Sequence, residues 1–137
     1  MMKPLPASSQ ALVVRTDFSD DATWRAVCAT IREPVDDFVA YVDFVDDRAF
    51  DGVSVEQLLE LGRATQGSFI IAADAQTMRG AERSLLVLDL RAEPGRTFRA
   101  VPAAVQSIEN NLSIANMDFH EFADSVDADG VFRDFPR

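Results

Sequence analysis

The sequence predicts one α/β domain: a mixed sheet of about five strands, three of them parallel in βαβ units, followed by a hairpin and a helical C-terminal part. Three observations predict it. The chain has 137 residues, 47% of them hydrophobic, which suits one globular domain that buries roughly two thirds of its surface on folding. Short apolar runs rich in β-branched residues alternate with stretches of helical period, as crossover connections require. No internal repeat, low-complexity tract or Pro/Gly-rich linker divides the chain, so residues 1–10 are expected as a flexible tail and 11–137 as the domain.

Each element has its own signal. Ala11–Arg15 is an apolar run closed by the polar cluster Thr16, Asp17, Ser19, Asp20 and Asp21, a first strand. Trp24, Val27, Cys28 and Ile31 fall at i, i+3, i+4 and i+7 and form one helical face, with Ser19 or Asp20 as N-cap and Pro34 past the end. Residues 38–45 are rich in Val and aromatics without clean alternation, as in a strand covered on both faces. Ser54 and Gln57 form a capping box, Val53 and Leu58 a hydrophobic staple, and Gly62 is the expected stop of that second helix. Residues 69–73 complete the parallel set.

Residues 84–90 and 97–101 read as a hairpin joined by a Pro94-Gly95 turn, and the intervening 74–83 hold a helical turn or none. Pro102 suits the start of a third helix, whose Val105, Ile108, Leu112 and Ala115 share one side. Asp118 with Glu121 is a second capping box, opening a short helix that turns Phe119, Phe122, Ala123 and Val126 inward. The chain closes on an Asp-Ala-Asp-Gly run at 127–130 and an aromatic end, Phe132 and Phe135.

Charge and composition exclude much. With 13 basic and 23 acidic residues the formal net charge is −10, a field that repels nucleic acid and anionic membranes. No apolar run approaches the ~20 residues of a membrane helix, and residues 1–10 lack a secretory signal, so a cytoplasmic address is expected. Cys28 has no partner for a disulfide. Lys3 is the sole lysine, which excludes any mechanism resting on a buried lysine.

Asp17, Asp46, Asp47 and Asp74 follow the three parallel strands, where open α/β sheets place ligands. A magnesium site resembling those of receiver domains or haloacid dehalogenase phosphatases then lacks its lysine, and Asp17-Phe-Ser-Asp20 is not Asp-x-Asp, so helix and loop capping is the preferred role. The 125–130 run resembles a calcium loop only in part, with Ser125 at the first ligand position and Pro136 where the bidentate Glu belongs. His120, the one histidine, is expected in an exposed pair with Asp124. Cys28 lies on an apolar stripe, where a thiol is inert. Asn110, Asn111 and Asn116, leading into Asp118, are either helix-end caps or a polar binding edge, with Phe132 and Phe135 either anchors beside it or core.

Four segments also resemble a known family: LVVRTDFSDD at 12–21 followed by Trp24, FRAVP at 98–102, ENNLSIANMDF at 109–119 with Phe122, and DGVFR at 129–133. Together they are similar to an uncharacterised family of small acidic proteins, mainly actinobacterial, known as a domain of unknown function. The resemblance runs from about residue 11 to the end, is most specific in 110–119, and implies no activity.

Two functions of different class follow. The preferred one is a non-catalytic acidic module that docks on a basic protein partner, comparable in charge and size with bacterial inhibitor and immunity proteins. Its binding residues are Asp17, Asn111, Asn116, Asp118 and Phe132, without catalytic residue, metal or cofactor. The alternative is a small metal-assisted enzyme acting on a phosphorylated ligand through strand-end carboxylates.

Overall fold

The structure, a computed structural model, describes residues 2–135. Met1, Pro136 and Arg137, at the ends of the expected tail and domain, lie outside the described residues. The chain forms β1 (Ala11–Arg15), α1 (Asp21–Arg32), β2 (Val42–Val45), α2 (Val55–Arg63), β3 (Phe69–Ala73), α3 (Ala75–Arg79), β4 (Leu85–Asp89), β5 (Thr97–Ala100), α4 (Val105–Leu112), α5 (Phe119–Ala123) and β6 (Val131–Phe132). The α/β class is as expected, with six strands in place of about five, in the order β2-β1-β3-β4-β5-β6. β1 pairs in parallel with β2 and β3, β4 runs antiparallel to β3 and β5, and β6 adds a parallel edge beside β5.

Side-chain alternation along the central strands feeds two cores, one on each sheet face. Val13, Phe69, Ile71, Ala73, Leu85 and Val87 meet α1, α4 and α5. Val14, Ile70, Ala72, Leu86 and Leu88 meet Leu58 and Leu61 of α2 together with Phe50. On α1 the predicted stripe of Trp24, Val27, Cys28 and Ile31 is buried, and Asp20 is the N-cap, accepting from the Thr23 N–H at 3.0 Å. Both capping boxes form, Ser54 with Gln57 and Asp118 with Glu121.

The hairpin between β4 and β5 turns on a buried carboxylate. Asp89 is 2% exposed, and its oxygens accept from the N–H groups of Arg91 at 3.0 Å and Glu93 at 2.8 Å. Gly95 then reverses the chain at φ 96, a value an L side chain rarely adopts. Residues 2–10, expected as a tail, carry Leu5 into the second core and pair Lys3 with Asp47 at 2.6 Å.

Several boundaries differ for physical reasons. β2 begins at Val42, not at residue 38, and is an edge strand with Asp43 exposed, so it is not covered on both faces. Asp36 and Asp37 at φ 50 and φ 69 close a tight Val35–Phe38 bridge instead. Gly62 does not stop α2 but lies within it, and its lack of a side chain makes room for Leu90: an added Cβ would sit 2.6 Å from Leu90 Cδ2. α4 ends at Leu112, and Ala115 turns out at φ 55, exposed and off the apolar side. Residues 75–79 form a helical turn capped by Asp74.

Phe132 sits in β6, 0% exposed, with its ring 5.3 Å from Phe122, 6.3 Å from Phe98 and 5.0 Å from Phe135. It is a core residue with no surface to offer a partner. Truncation in such a cluster costs about 3–5 kcal/mol. Phe132→Ala should therefore lower the unfolding free energy in a urea titration by that order; a loss below about 1 kcal/mol would contradict its place in the core.

Candidate functional site

The carboxylates at the strand ends do not converge. Asp17, after β1, accepts from the Ser19 hydroxyl and from the Ser19 N–H at 2.9 Å, and these bonds hold its carboxyl below the usual aspartate range. Asp46 leans to Arg15 at 3.3 Å, and Asp47 caps a 3₁₀ turn by accepting from the Ala49 N–H at 2.9 Å. Asp74 is gripped by Arg99, with Nη1 at 3.0 Å and Nη2 at 2.5 Å, and also accepts from Thr77. Among the described residues no three of His, Cys, Asp and Glu gather into a group that could hold a metal ion.

The Asp127 and Asp129 carboxylates both turn to Arg133, at 2.7 Å and 2.6 Å. Glu82 joins them at 2.6 Å, so a guanidinium occupies the space between acids that a cation would need. His120 stands 3.7 Å from Asp124, as expected, and 3.8 Å from Asp118, half exposed. Cys28 is buried, and burial pushes its thiol up to about 11, which leaves it unreactive at neutral pH.

The asparagine segment has a structural explanation and a surface consequence. Buried Glu109 accepts from the Tyr41 N–H at 2.7 Å and from Asn110 Nδ2 at 2.8 Å, while Asn110 Nδ2 also donates to the Val39 carbonyl at 2.9 Å. α4 thereby holds residues 39–41 beside it, just before β2 begins. Asn111 Nδ2 donates to the Ser107 carbonyl, and its own Oδ1 accepts from Asn116 Nδ2, both at 2.8 Å. The Asn111 carbonyl further accepts the N–H groups of Asn116 and Met117 and so closes the turn after α4. Asp118 then caps α5.

Asn111, Asn116 and Asp118 are thus brought together at one corner, by the amino ends of the parallel strands. Asp17 lies at the opposite, carboxyl end of β1, and Phe132 is interior. Three residues missed by the sequence reading lie on the two segments joined there. Phe38 at 62%, Tyr41 at 59% and Ile114 at 75% are the exposed large hydrophobics among the described residues. All belong to the two segments that Glu109 and Asn110 bind together. Phe38 shares a shallow hollow with Gln106, Ser107 and Phe135, and Ile114 follows one turn beyond Asn110. A signal existed: Ile114 falls off the Val105, Ile108, Leu112 stripe, and Asp36-Asp37 marks a turn that frees Phe38.

The stretches of chain that carry these side chains are acidic. Residues 35–47 and 100–132 contain no lysine or arginine, yet they hold eleven of the 23 acidic residues: Asp36, Asp37, Asp43, Asp46, Asp47, Glu109, Asp118, Glu121, Asp124, Asp127 and Asp129. A single mixed-sheet α/β domain with a formal net charge of −10 is the class that fold and composition define. The chain belongs to the family described as Domain of unknown function (DUF6924), whose model matches residues 10–135. A search among curated proteins found no match. No helix among the described residues is long and apolar enough to cross a membrane.

Two outcomes follow. Burial raises the Asp74 pKa, but the Arg99 hydrogen bonds and charge and the Thr77 bonds lower it further, leaving it below the ordinary value. A depressed folded pKa contributes stability that is present above the unfolded value of about 3.9 and lost as pH falls through the folded one. Asp74→Asn should cost about 1–3 kcal/mol at pH 7 and flatten the acid limb below about pH 4 in pH-dependent denaturation; an unchanged acid limb would show that the pair carries no linkage. Calcium titrated against thermal stability should give no saturable rise, because Arg133 holds Asp127 and Asp129; a rise at micromolar calcium would overturn that assignment.

Proposed function

We propose that the protein is a non-catalytic acidic binding module that docks on a basic protein partner through the corner built by residues 35–41 and 105–118. The observation that carries this reading is that Phe38, Tyr41 and Ile114 are exposed on two adjoining segments that lack any lysine or arginine. Exposed apolar side chains inside a polar rim are the usual make-up of a protein interface, with aromatic residues as its anchors. The acidic surroundings speed encounter with a cationic surface and reject anionic ones. Asn111 and Asn116 supply rim polarity, Asp118 supplies rim charge, and Asp17, at the far end of the sheet, acts only through the long-range field.

The occupant that fits is a basic surface with apolar side chains among its lysines and arginines. An inhibitor or immunity protein works in this way, without an active site, by covering a cationic surface of its target. Each anchor is expected to contribute about 2 kcal/mol to such a contact.

The test starts from affinity capture in the native cell and continues with the purified partner. Hydrogen exchange on the complex should protect residues 35–41 and 105–118, and Tyr41→Ser and Ile114→Asp should each weaken binding roughly thirtyfold. Association should slow steeply with salt, since the field reaches only ~10 Å at 0.1 M, while dissociation changes less. Asp118→Asn, which keeps a capping side chain, should lower the on-rate alone. A partner that is acidic, or protection confined to another face, would refute the proposal.

A further inference from the structure

At the opposite end of the sheet from that corner, the charge balance is locally inverted. β1 ends on Arg15, whose side chain is 4% exposed. Its Nε donates to the Asp17 carbonyl at 3.0 Å, Nη2 to Asp21 at 2.6 Å and Nη1 to Asp46 at 3.3 Å. A guanidinium has five N–H donors, so two are left without a protein acceptor among the described residues. The group lines a cleft of about 410 Å³ together with Phe18, Asp21, Trp24, Arg25, Asp46 and Arg48.

Three arginines face two aspartates there, a formal balance of +1 in a chain of −10. Among the described residues the Arg25 side chain makes no hydrogen bond or ion pair, though its charge acts on Asp21. Arg48 makes no ion pair and lies over the Phe18 ring at 5.1 Å, a ring that also lies beneath Arg15 at 4.3 Å. Guanidinium groups on an aromatic ring are held in place at little entropic cost, with their N–H forks directed sideways. The cleft opens beyond the carboxyl ends of β1 and β2, where open α/β sheets place ligands, and its volume is that of a small-molecule site rather than of a bare ion.

We infer that this cleft binds a small organic oxyanion, a carboxylate or phosphate ester gripped by Arg25 and Arg48 above the buried Arg15. Arg15 holds the floor, pinned by Asp21 and Asp46, and offers its remaining donors. The two outer arginines close on the oxyanion through charge-assisted, bidentate bonds. Asp46 and Asp21 limit the charge the site tolerates and favour an anion of low charge. The site needs neither the docking corner nor a partner protein, so it stands apart from the proposed function.

The sole tryptophan lines the cleft and reports on it directly. Benzoate and phenyl phosphate, which share one body and differ in the oxyanion, are titrated against Trp24 fluorescence, with sodium chloride at equal ionic strength as the control. A saturable change with a dissociation constant near or below about 1 mM is expected, the tighter probe naming the oxyanion. Replacing both Arg25 and Arg48 with Ala, exposed positions whose loss leaves the fold intact, should weaken binding about tenfold or more. Asp46→Asn should tighten it about threefold, since it removes one repelling charge; a purely structural role for the Asp46–Arg15 pair would not strengthen anion binding. No saturable change with either probe, a response matched by sodium chloride, binding that survives the double substitution, or weaker binding in Asp46→Asn would each overturn the assignment.

Discussion

Everything in this fold is arranged around the double burial of β3. Phe69 to Ala73 is apolar at all five positions and buried at each, with Ile71 and Ala73 fully so. A strand with no polar face must be covered on both sides, and its backbone groups must be paired on both edges. β1 and β4 supply the edges, one parallel and one antiparallel. The alternating side chains then call for two separate helical covers, α1 with α4 and α5 on one face and α2 on the other. The switch from parallel to antiparallel pairing beside β3 follows from the short α3 connection, which brings the chain straight back as β4.

Within that frame, buried charged groups decide where the loops go. Arg99 reaches from β5 across to Asp74 and to the Ser84 carbonyl, so it clamps the two ends of the α3 connection. Asp89 organises the hairpin turn, Glu109 draws residues 39–41 onto α4, and Arg15 collects Asp17, Asp21 and Asp46 at the sheet end. Each is nearly enclosed and needs several fixed partners, because an unpaired buried charge costs several kcal/mol. A guanidinium suits this work better than an ammonium, since its planar fork binds two acceptors at once. Twelve arginines against one lysine make structural sense in a chain where so many loops are held this way.

The same contacts divide the surface. Arg15, Arg25 and Arg48 gather at the carboxyl ends of β1 and β2, whereas 35–47 and 100–132 contain acids and no lysine or arginine of their own. The carboxyl end of the sheet carries arginines around a cleft, and the 35–41 and 105–118 segments carry exposed apolar side chains without basic residues of their own. Most strand-end aspartates are engaged by caps or guanidinium groups, which is why their place at the ends of parallel strands does not translate into a cluster of free ligands.

Local chemistry by itself determined the α/β class, the succession of the first five strands along the chain, the Trp24 to Ile31 stripe, both capping boxes and the Pro94-Gly95 hairpin, while the strand order within the sheet was not legible. Period, caps and turn residues act over a few positions and survive in any context. Tertiary structure decided what depends on a distant neighbour. Gly62 serves packing within α2 and not as its stop, since Leu90 fills the space beside it, and residues 38–41 leave the sheet because Glu109 and Asn110 hold them. β6 is a strand because β5 offers an open edge to two residues too short to show a period. The candidate corner was legible in its polar half, Asn111, Asn116 and Asp118, but not in Phe38, Tyr41 and Ile114. Whether an apolar side chain is covered is settled by elements far away in the chain, and the same packing took Phe132 out of the site and into the core.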